Sequence, residues 1–217
     1  SLIARPDIGV LTNIGVCHIE HLGSQEGILK AKMEIVDGMG ENGVLVINGD
    51  DPFLSTVTDT VQKRVTYGLN HPEYDYYAYN VAVLSEGVSF TAKTPLGDLD
   101  VHLAIDGIHN VYNSLAAIAV GVLCGMDLTS IGEGLHHMEK APMRQNIIKE
   151  NGMTLIEDCY NASPISMKAS IDVLKSKPGR KIAVLGDMLE LGERSEEFHR
   201  RVGEMLEGGS VPIAYGD

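Results

Sequence analysis

Apolar residues in this chain fall into short, nearly continuous runs bounded by turn residues, with longer periodic stretches between them. The runs at residues 8–12, 44–47, 64–67, 77–84, 88–92 and 99–104 have strand length and are rich in Val, Ile, Leu and Tyr. Residues 26–39, 111–125 and 128–137 instead repeat their apolar positions at helical spacing. Strands that are apolar without alternation are buried on both faces, as in a parallel sheet covered by helices. The rhythm changes between residues 77 and 104, where Ser85-Glu86-Gly87 and Pro95-Leu96-Gly97-Asp98 separate three short strands. Connections this tight join antiparallel neighbours, so an antiparallel patch is expected beside the parallel sheet.

After Lys140-Ala141-Pro142-Met143 the pattern restarts as strand, helix, strand, helix, strand, with apolar runs at 153–156, 181–185 and 211–215 and a helical stretch at 165–174. A domain boundary is expected there, giving domains 1–140 and 141–217 with a hinge near Pro142. The fold class is therefore α/β: a mostly parallel sheet with an antiparallel patch, followed by part of a Rossmann-like domain. The run at 8–12 reads as a fully buried strand that needs neighbours, and the run at 211–215 as a third parallel strand with nothing after it. Because doubly wound domains usually carry five or six strands, both ends are expected to be cut.

Composition narrows the function without naming it. At 217 residues and 44% hydrophobic content the chain can bury a core. Its 17 Lys plus Arg face 30 Asp plus Glu, a net charge of -13, which would repel a nucleic-acid backbone. Cys17, Cys124 and Cys159 are odd in number and include no CxxC pair, so neither a disulfide framework nor a zinc site is indicated. No apolar run approaches the roughly 18 residues of a membrane span and no leader pattern is visible, so a cytoplasmic chain without a membrane partner is expected.

Two loops carry candidate chemistry. Residues 157–164 follow the run at 153–156 and open a helix; residues 186–192 follow the run at 181–185. Each sets carboxylate and amide groups at the carboxyl end of a strand, where open α/β sheets bind ligands. Part of each is structural on any reading: Ser163 and Pro164 make a good helix start, Gly186 and Gly192 are expected to set backbone shape, and Met188 and Leu191 to pack.

Six segments, in order, are TNIGVCH (12–18), HIEHLGS (18–24), KAKMEI (30–35), GIHNVYNSLAA (107–117), DCYNASP (158–164) and GDMLELG (186–192). Together they resemble the Mur ligases, and within that family the members that join D-alanyl-D-alanine to a UDP-N-acetylmuramoyl tripeptide. The resemblance implies amide formation in two steps using ATP and Mg2+: the peptide carboxylate is phosphorylated, then the dipeptide amine attacks the acyl phosphate. It implies a Mur ligase central ATP-binding domain followed by the family's Rossmann-like C-terminal domain, in a parent enzyme expected to be monomeric.

What the resemblance implies for single residues is specific. His18 and Lys32 would be catalytic metal ligands, with Lys32 carbamylated so that an ammonium becomes an anionic oxygen ligand suited to a hard cation. Alone, His18 would read as a loop residue and Lys32 as a solvated one. Glu20 would be an outer group near the metal and His21 a surface residue. Asn110 and Asn113 would hold adenine, since an amide both donates and accepts; Asn110 by itself reads equally well as a helix cap. Ser114 to Ala119 reads as packing surface. Arg144 would reach nucleotide phosphates, Asp158 the ribose hydroxyls, and Tyr160 and Asn161 would border the nucleotide. Asp187 and Glu190 would handle the incoming dipeptide.

One family feature is missing: no GxxxxGK[ST] phosphate loop occurs in these 217 residues. The resemblance places it before Ile3, so this chain alone is expected to lack ligase activity. Two alternatives remain at this stage: another ligase of the superfamily, such as folylpolyglutamate synthase, and a binding module on a degenerate ligase core.

Overall fold

The computed structural model describes residues 1–17, 19–58, 60–138, 142–206 and 210–214. Two compact units are present: Ser1–Gly15 with Ser24–Met138, and Val16–Gly23 with Glu139–Asp217.

The first unit is built on strands β1 (Ile8–Leu11), β2 (Val44–Asn48), β3 (Lys63–Leu69), β4 (Tyr76–Val83), β5 (Val88–Thr94) and β6 (Gly97–Leu103), which form one sheet in sequence order. Strands β1 to β4 are parallel, and β4, β5 and β6 are antiparallel. The antiparallel patch thus belongs to the same sheet as the parallel strands. The pairing of β3 with β4 covers only Tyr67↔Tyr76 to Leu69↔Ala78. The short link at residues 70–75 explains this, because it cannot carry the chain back far enough for a longer parallel overlap. Strand β1 pairs with β2 and lies at the sheet edge, with half of its positions only partly buried. The expectation of a fully buried strand is therefore not met among the described residues.

The helices in chain order are α1 (Ile19–Leu22), α2 (Gln25–Met33), α3 (Ile108–Leu123), α4 (Leu128–His136), α5 (Pro164–Ser176) and α6 (Ser195–Glu204). Strands β2 to β6 turn Val46, Tyr67, Ala78, Phe90 and Leu103 into a core shared with Val111, Leu115 and Ile118 of α3 and Ile131 and Leu135 of α4. Helix α2 is shorter than the periodic stretch at 26–39. The amides of Glu34 and Ile35 bond to carbonyls three residues back, Ala31 and Lys32, and the chain tightens into a 3₁₀ turn at Val36–Gly38. Two glycines are needed where they stand: a Cβ at Gly49 or Gly68 would overlap the ring of Tyr74, which lies against both.

In the second unit β7 (Asn146–Glu150) and β8 (Met153–Glu157) form an antiparallel hairpin, while β9 (Lys181–Leu185) and β10 (Ser210–Ala214) form a parallel pair. The run at 153–156 is a strand as expected, but its bonded partner among the described residues is β7, which the periodic reading left out. The signal was present: Asn151 and Gly152 both have positive φ, 50° and 75°, the combination that a two-residue hairpin turn requires. Helix α5 begins as expected, with Pro164 in its first turn and a reciprocal capping box between Ser163 and Ser166.

Candidate functional site

Each unit holds its own group of the candidate residues. In the first, the loops that leave β1 and β2 are tied together by buried polar groups. The Asp51 carboxylate accepts from the amide of Ile14 at 2.8 Å and from those of Phe53 and Leu54 at 3.0 Å each. The Asn48 side chain donates to the Thr12 carbonyl at 3.1 Å. This fixes the strand-end loop to which Lys32 returns: its ammonium, on the exposed face of α2, donates to the Asn13 carbonyl at 2.7 Å. An ammonium cannot ligate a cation, so Lys32 fits a metal only if converted to an oxygen donor. His18 lies outside the described residues. In the second unit, His21 is exposed, as expected of a surface residue, and Glu20 is exposed on α1.

Asn110 and Asn113 stand one turn apart at the start of α3. Asn113 Nδ2 donates to Asn110 Oδ1 at 3.3 Å, and Asn110 Nδ2 donates to the Asp106 carbonyl at 2.8 Å. The helix cap is Gly107, at φ 101° and without a side-chain bond, so the capping role considered for Asn110 is not the one it takes. Ser114 to Ala119 is packing surface as expected, with Leu115, Ile118 and Ala119 fully buried. Between the two asparagines, Tyr112 donates its hydroxyl to Asp50 Oδ2 at 3.0 Å. The same oxygen accepts from the amide of Leu69 at 2.7 Å. Burial, reinforced by the bond to Asp50, pushes the Tyr112 hydroxyl far above its ordinary pKa and keeps it a donor at neutral pH. One carboxylate therefore joins the β2 loop, the end of β3 and the asparagine-bearing turn of α3.

In the second unit the backbone around Arg144 is strained: Met143 and Gln145 have φ 60° and 45°, although neither is glycine. The Met143 carbonyl accepts from the amides of Cys159 at 3.1 Å and Tyr160 at 3.3 Å, which fastens this segment to the loop after β8. The Arg144 guanidinium lies over the Tyr160 ring, 4.3 Å from its centroid. Arg144, Asp158, Tyr160 and Asn161 are thus gathered on two adjoining segments. The Asp158 carboxylate accepts from the Ser170 hydroxyl on α5, whereas the Asn161 side-chain oxygen accepts from the neighbouring amide of Ala162 at 2.8 Å.

The loop at 186–192 turns Met188 and Leu191 inward, at 2% and 3% exposure, and leaves Asp187, Leu189 and Glu190 outward. Its special backbone positions are Glu190, φ 61°, and Gly192, φ 59°. A Cβ on Gly192 would reach Glu20 of α1 only at ordinary contact distance, so it is the left-handed φ that favours glycine there; the Glu20 amide donates to the Glu190 carbonyl at 3.3 Å. Gly186 has neither a positive φ nor a close neighbour, so its expected backbone role is not required by this geometry. Behind the loop stands His199 of α6, which accepts from the Met188 amide at 3.1 Å. The periodic reading passed over His199, Asp50, Asp51 and Tyr112. Asp50 and Asp51 were detectable, since Asn48-Gly49-Asp50-Asp51 also follows the carboxyl end of a strand.

Family comparison joins these parts. Residues 1–121 match the Mur ligase middle domain, and residues 143–217 match the Mur ligase glutamate ligase domain. The chain belongs to the Mur ligase family. It is 42% identical over 209 residues, 95% of this chain and 45% of the relative, to UDP-N-acetylmuramoyl-tripeptide--D-alanyl-D-alanine ligase of Bacillus subtilis. A crystal structure of MurF from Acinetobacter baumannii superposes with a TM-score of 0.93 at 31% identity, covering 99% of this chain and 48% of that one. A MurF ligase from Thermotoga maritima in complex with ADP superposes at 0.88 with 30% identity, over 98% of this chain and 49% of that one. The Mur ligase chain described here therefore spans about half the length of these relatives. Lys32, Asn110 and Asn113 fall in its middle-domain match, and Arg144, Asp158, Asp187 and Glu190 in its glutamate ligase match.

Proposed function

We propose that these residues form the nucleotide and acceptor parts of an ATP-dependent ligase that joins D-alanyl-D-alanine to a UDP-N-acetylmuramoyl tripeptide in cell-wall precursor synthesis. The observation that carries this reading is the 42% identity with a ligase named for that reaction, which runs through both groups of candidate residues. In the first step a carboxylate oxygen of the tripeptide attacks the γ-phosphorus of ATP, forming an acyl phosphate and releasing ADP. In the second, the dipeptide amine attacks the acyl carbon, loses a proton and expels phosphate.

Asn110 and Asn113 take the adenine edge, their amides already paired on one face of α3. The ADP held by the Thermotoga relative supports a nucleotide at this fold. Arg144, held over Tyr160, serves the phosphates, Asp158 accepts from the ribose hydroxyls, and Tyr160 and Asn161 border the nucleotide. Asp187 and Glu190 face the acceptor, where a carboxylate suits the dipeptide ammonium. His18 and a carbamylated Lys32 would hold magnesium, which would supply charge neutralisation during phosphoryl transfer. The domain assignment 1–140 and 141–217, cytoplasmic location and inactivity of the 217 residues alone belong to the same proposal. The last follows from the missing phosphate loop, whose backbone donors and lysine carry much of the triphosphate binding.

The test is phosphate release by the full-length protein that carries this chain. Release that requires ATP, the UDP-linked tripeptide and D-alanyl-D-alanine together supports the proposal. Release with a single amino acid such as glutamate in place of the dipeptide, and none with the dipeptide, would assign the chain to another branch of the superfamily.

A further inference from the structure

We infer that His199 is a positioning residue for the acceptor loop, holding residues 186–192 so that Asp187 stays open to the incoming amine. The inference rests on the proposed role of that loop.

The hydrogen bonds define how the ring is used. Its Nδ1 lies 2.8 Å from the Ser195 carbonyl, which can only accept, so Nδ1 carries the proton. Its Nε2 lies 3.1 Å from the amide nitrogen of Met188, which can only donate, so Nε2 offers its lone pair. Both bonds together require the neutral imidazole with the proton on Nδ1. Asp187 Oδ1 stands 3.5 Å from the same Nε2, longer than an ordinary N–H···O bond, and with Nε2 accepting from Met188 the ring has no proton there to pair with the carboxylate. The ring therefore sets the loop backbone one residue after Asp187 without neutralising the carboxylate.

The surroundings make this bond matter. Ser195 and His199 share α6, which is anchored by Phe198 and Val202 at 5% and 3% exposure. Met188 is 2% exposed, so the residue whose amide the ring receives is itself locked into the interior. The tip beyond it carries the left-handed Glu190, a conformation that local contacts must hold. His199 is thus a fixed post, on a packed helix, that ties the loop at the position next to its outward carboxylate.

The experiment is initial-rate phosphate release by the full-length enzyme, with D-alanyl-D-alanine and ATP varied in turn. His199→Phe keeps a ring but removes both bonds, His199→Gln can return an acceptor where Nε2 stood, and His199→Asn reaches only the Nδ1 position. For His199→Phe the KM for D-alanyl-D-alanine should rise roughly 10-fold or more while the KM for ATP stays within about 2-fold; His199→Gln should return the dipeptide KM to within about 3-fold of the unsubstituted enzyme. If His199→Phe does not fold, Gln and Asn are compared, and Asn should show the higher dipeptide KM. A dipeptide KM unchanged by His199→Phe, equal rises in both KM values, or no difference between Gln and its comparison partner would overturn the inference. Unsubstituted enzyme that releases no phosphate with the dipeptide would instead overturn the functional proposal.

Discussion

The two groups of candidate residues are held in place by different means. In the first unit Asn110 and Asn113 ride on a helix whose next residues, Val111, Leu115 and Ile118, are fully buried, and Asp50 and Asp51 knit the neighbouring loops through backbone amides. Within these 217 residues, apolar side chains on the strands of the second unit are often open: Met153 and Leu155 on β8 are 69% and 58% exposed, and Val184 on β9 is 70% exposed. There the candidate residues depend on a few discrete contacts, among them Met143 to Cys159, Arg144 over Tyr160, and His199 to Met188. Where position comes from the core, a substitution should be felt as lost stability. Where it comes from single bonds, it should be felt as altered binding with the fold intact.

Replacing Leu115, buried in the first unit, by Ala should lower unfolding free energy by about 2–5 kcal/mol, while Leu155→Ala on β8 should change it by less than about 0.5 kcal/mol. Denaturant titration of both variants of the 217-residue chain checks the contrast, and equal losses would break it. Asp51→Ala leaves the amides of Ile14, Phe53 and Leu54 without their acceptor and should cost about 2–3 kcal/mol. Tyr112→Phe, which removes one bond to Asp50, should cost about 1 kcal/mol, and Ser163→Ala a similar amount through the cap of α5. Thermal melting with and without ATP sharpens the comparison, because Tyr112→Phe should also shrink the ATP-induced rise in melting temperature. The smallest effect concerns Asp127, the cap of α4. Bonds from the Ser130 amide and then its hydroxyl hold its carboxyl below the usual range, so its stabilisation is present above the ordinary carboxylate pKa and fades as pH falls through the lowered folded value. Melting curves between neutral and acid pH should show Asp127→Ala losing less stability on acidification than the unsubstituted chain.

Legibility in the sequence follows the same division. Buried strands and α3 announce themselves through continuous or periodic apolar residues, so the sheet and its antiparallel patch could be read directly. The capping of α5 was equally plain, since Ser163 and Pro164 act over a few adjacent residues. The break of α2 after Met33 was hidden because residues 26–39 keep helical spacing beyond the point where the hydrogen bonds shorten. Strand β7 was hidden because its side chains are mostly exposed and show no apolar alternation; only the Asn151-Gly152 turn betrays it. In the sites, motif order revealed the residues that face outward, such as Asn113 and Asp187. The groups behind them, Asp50, Tyr112 and His199, act across 62 residues in one case and 11 in another, and linear spacing does not encode such contacts.

The central claim is that the adenine edge of the nucleotide and the acceptor dipeptide are served by different residues, Asn110 and Asn113 in the first unit and the loop at 186–192 in the second. It is tested most directly by measuring, in the full-length enzyme, the KM values for ATP and for D-alanyl-D-alanine after Asn113→Ala and after Asp187→Ala. The account predicts a crossed result: Asn113→Ala raises the KM for ATP by roughly 10-fold and leaves the dipeptide KM near its original value, and Asp187→Ala does the reverse. If both substitutions raise the same KM, or neither KM moves, the division of labour described here is contradicted.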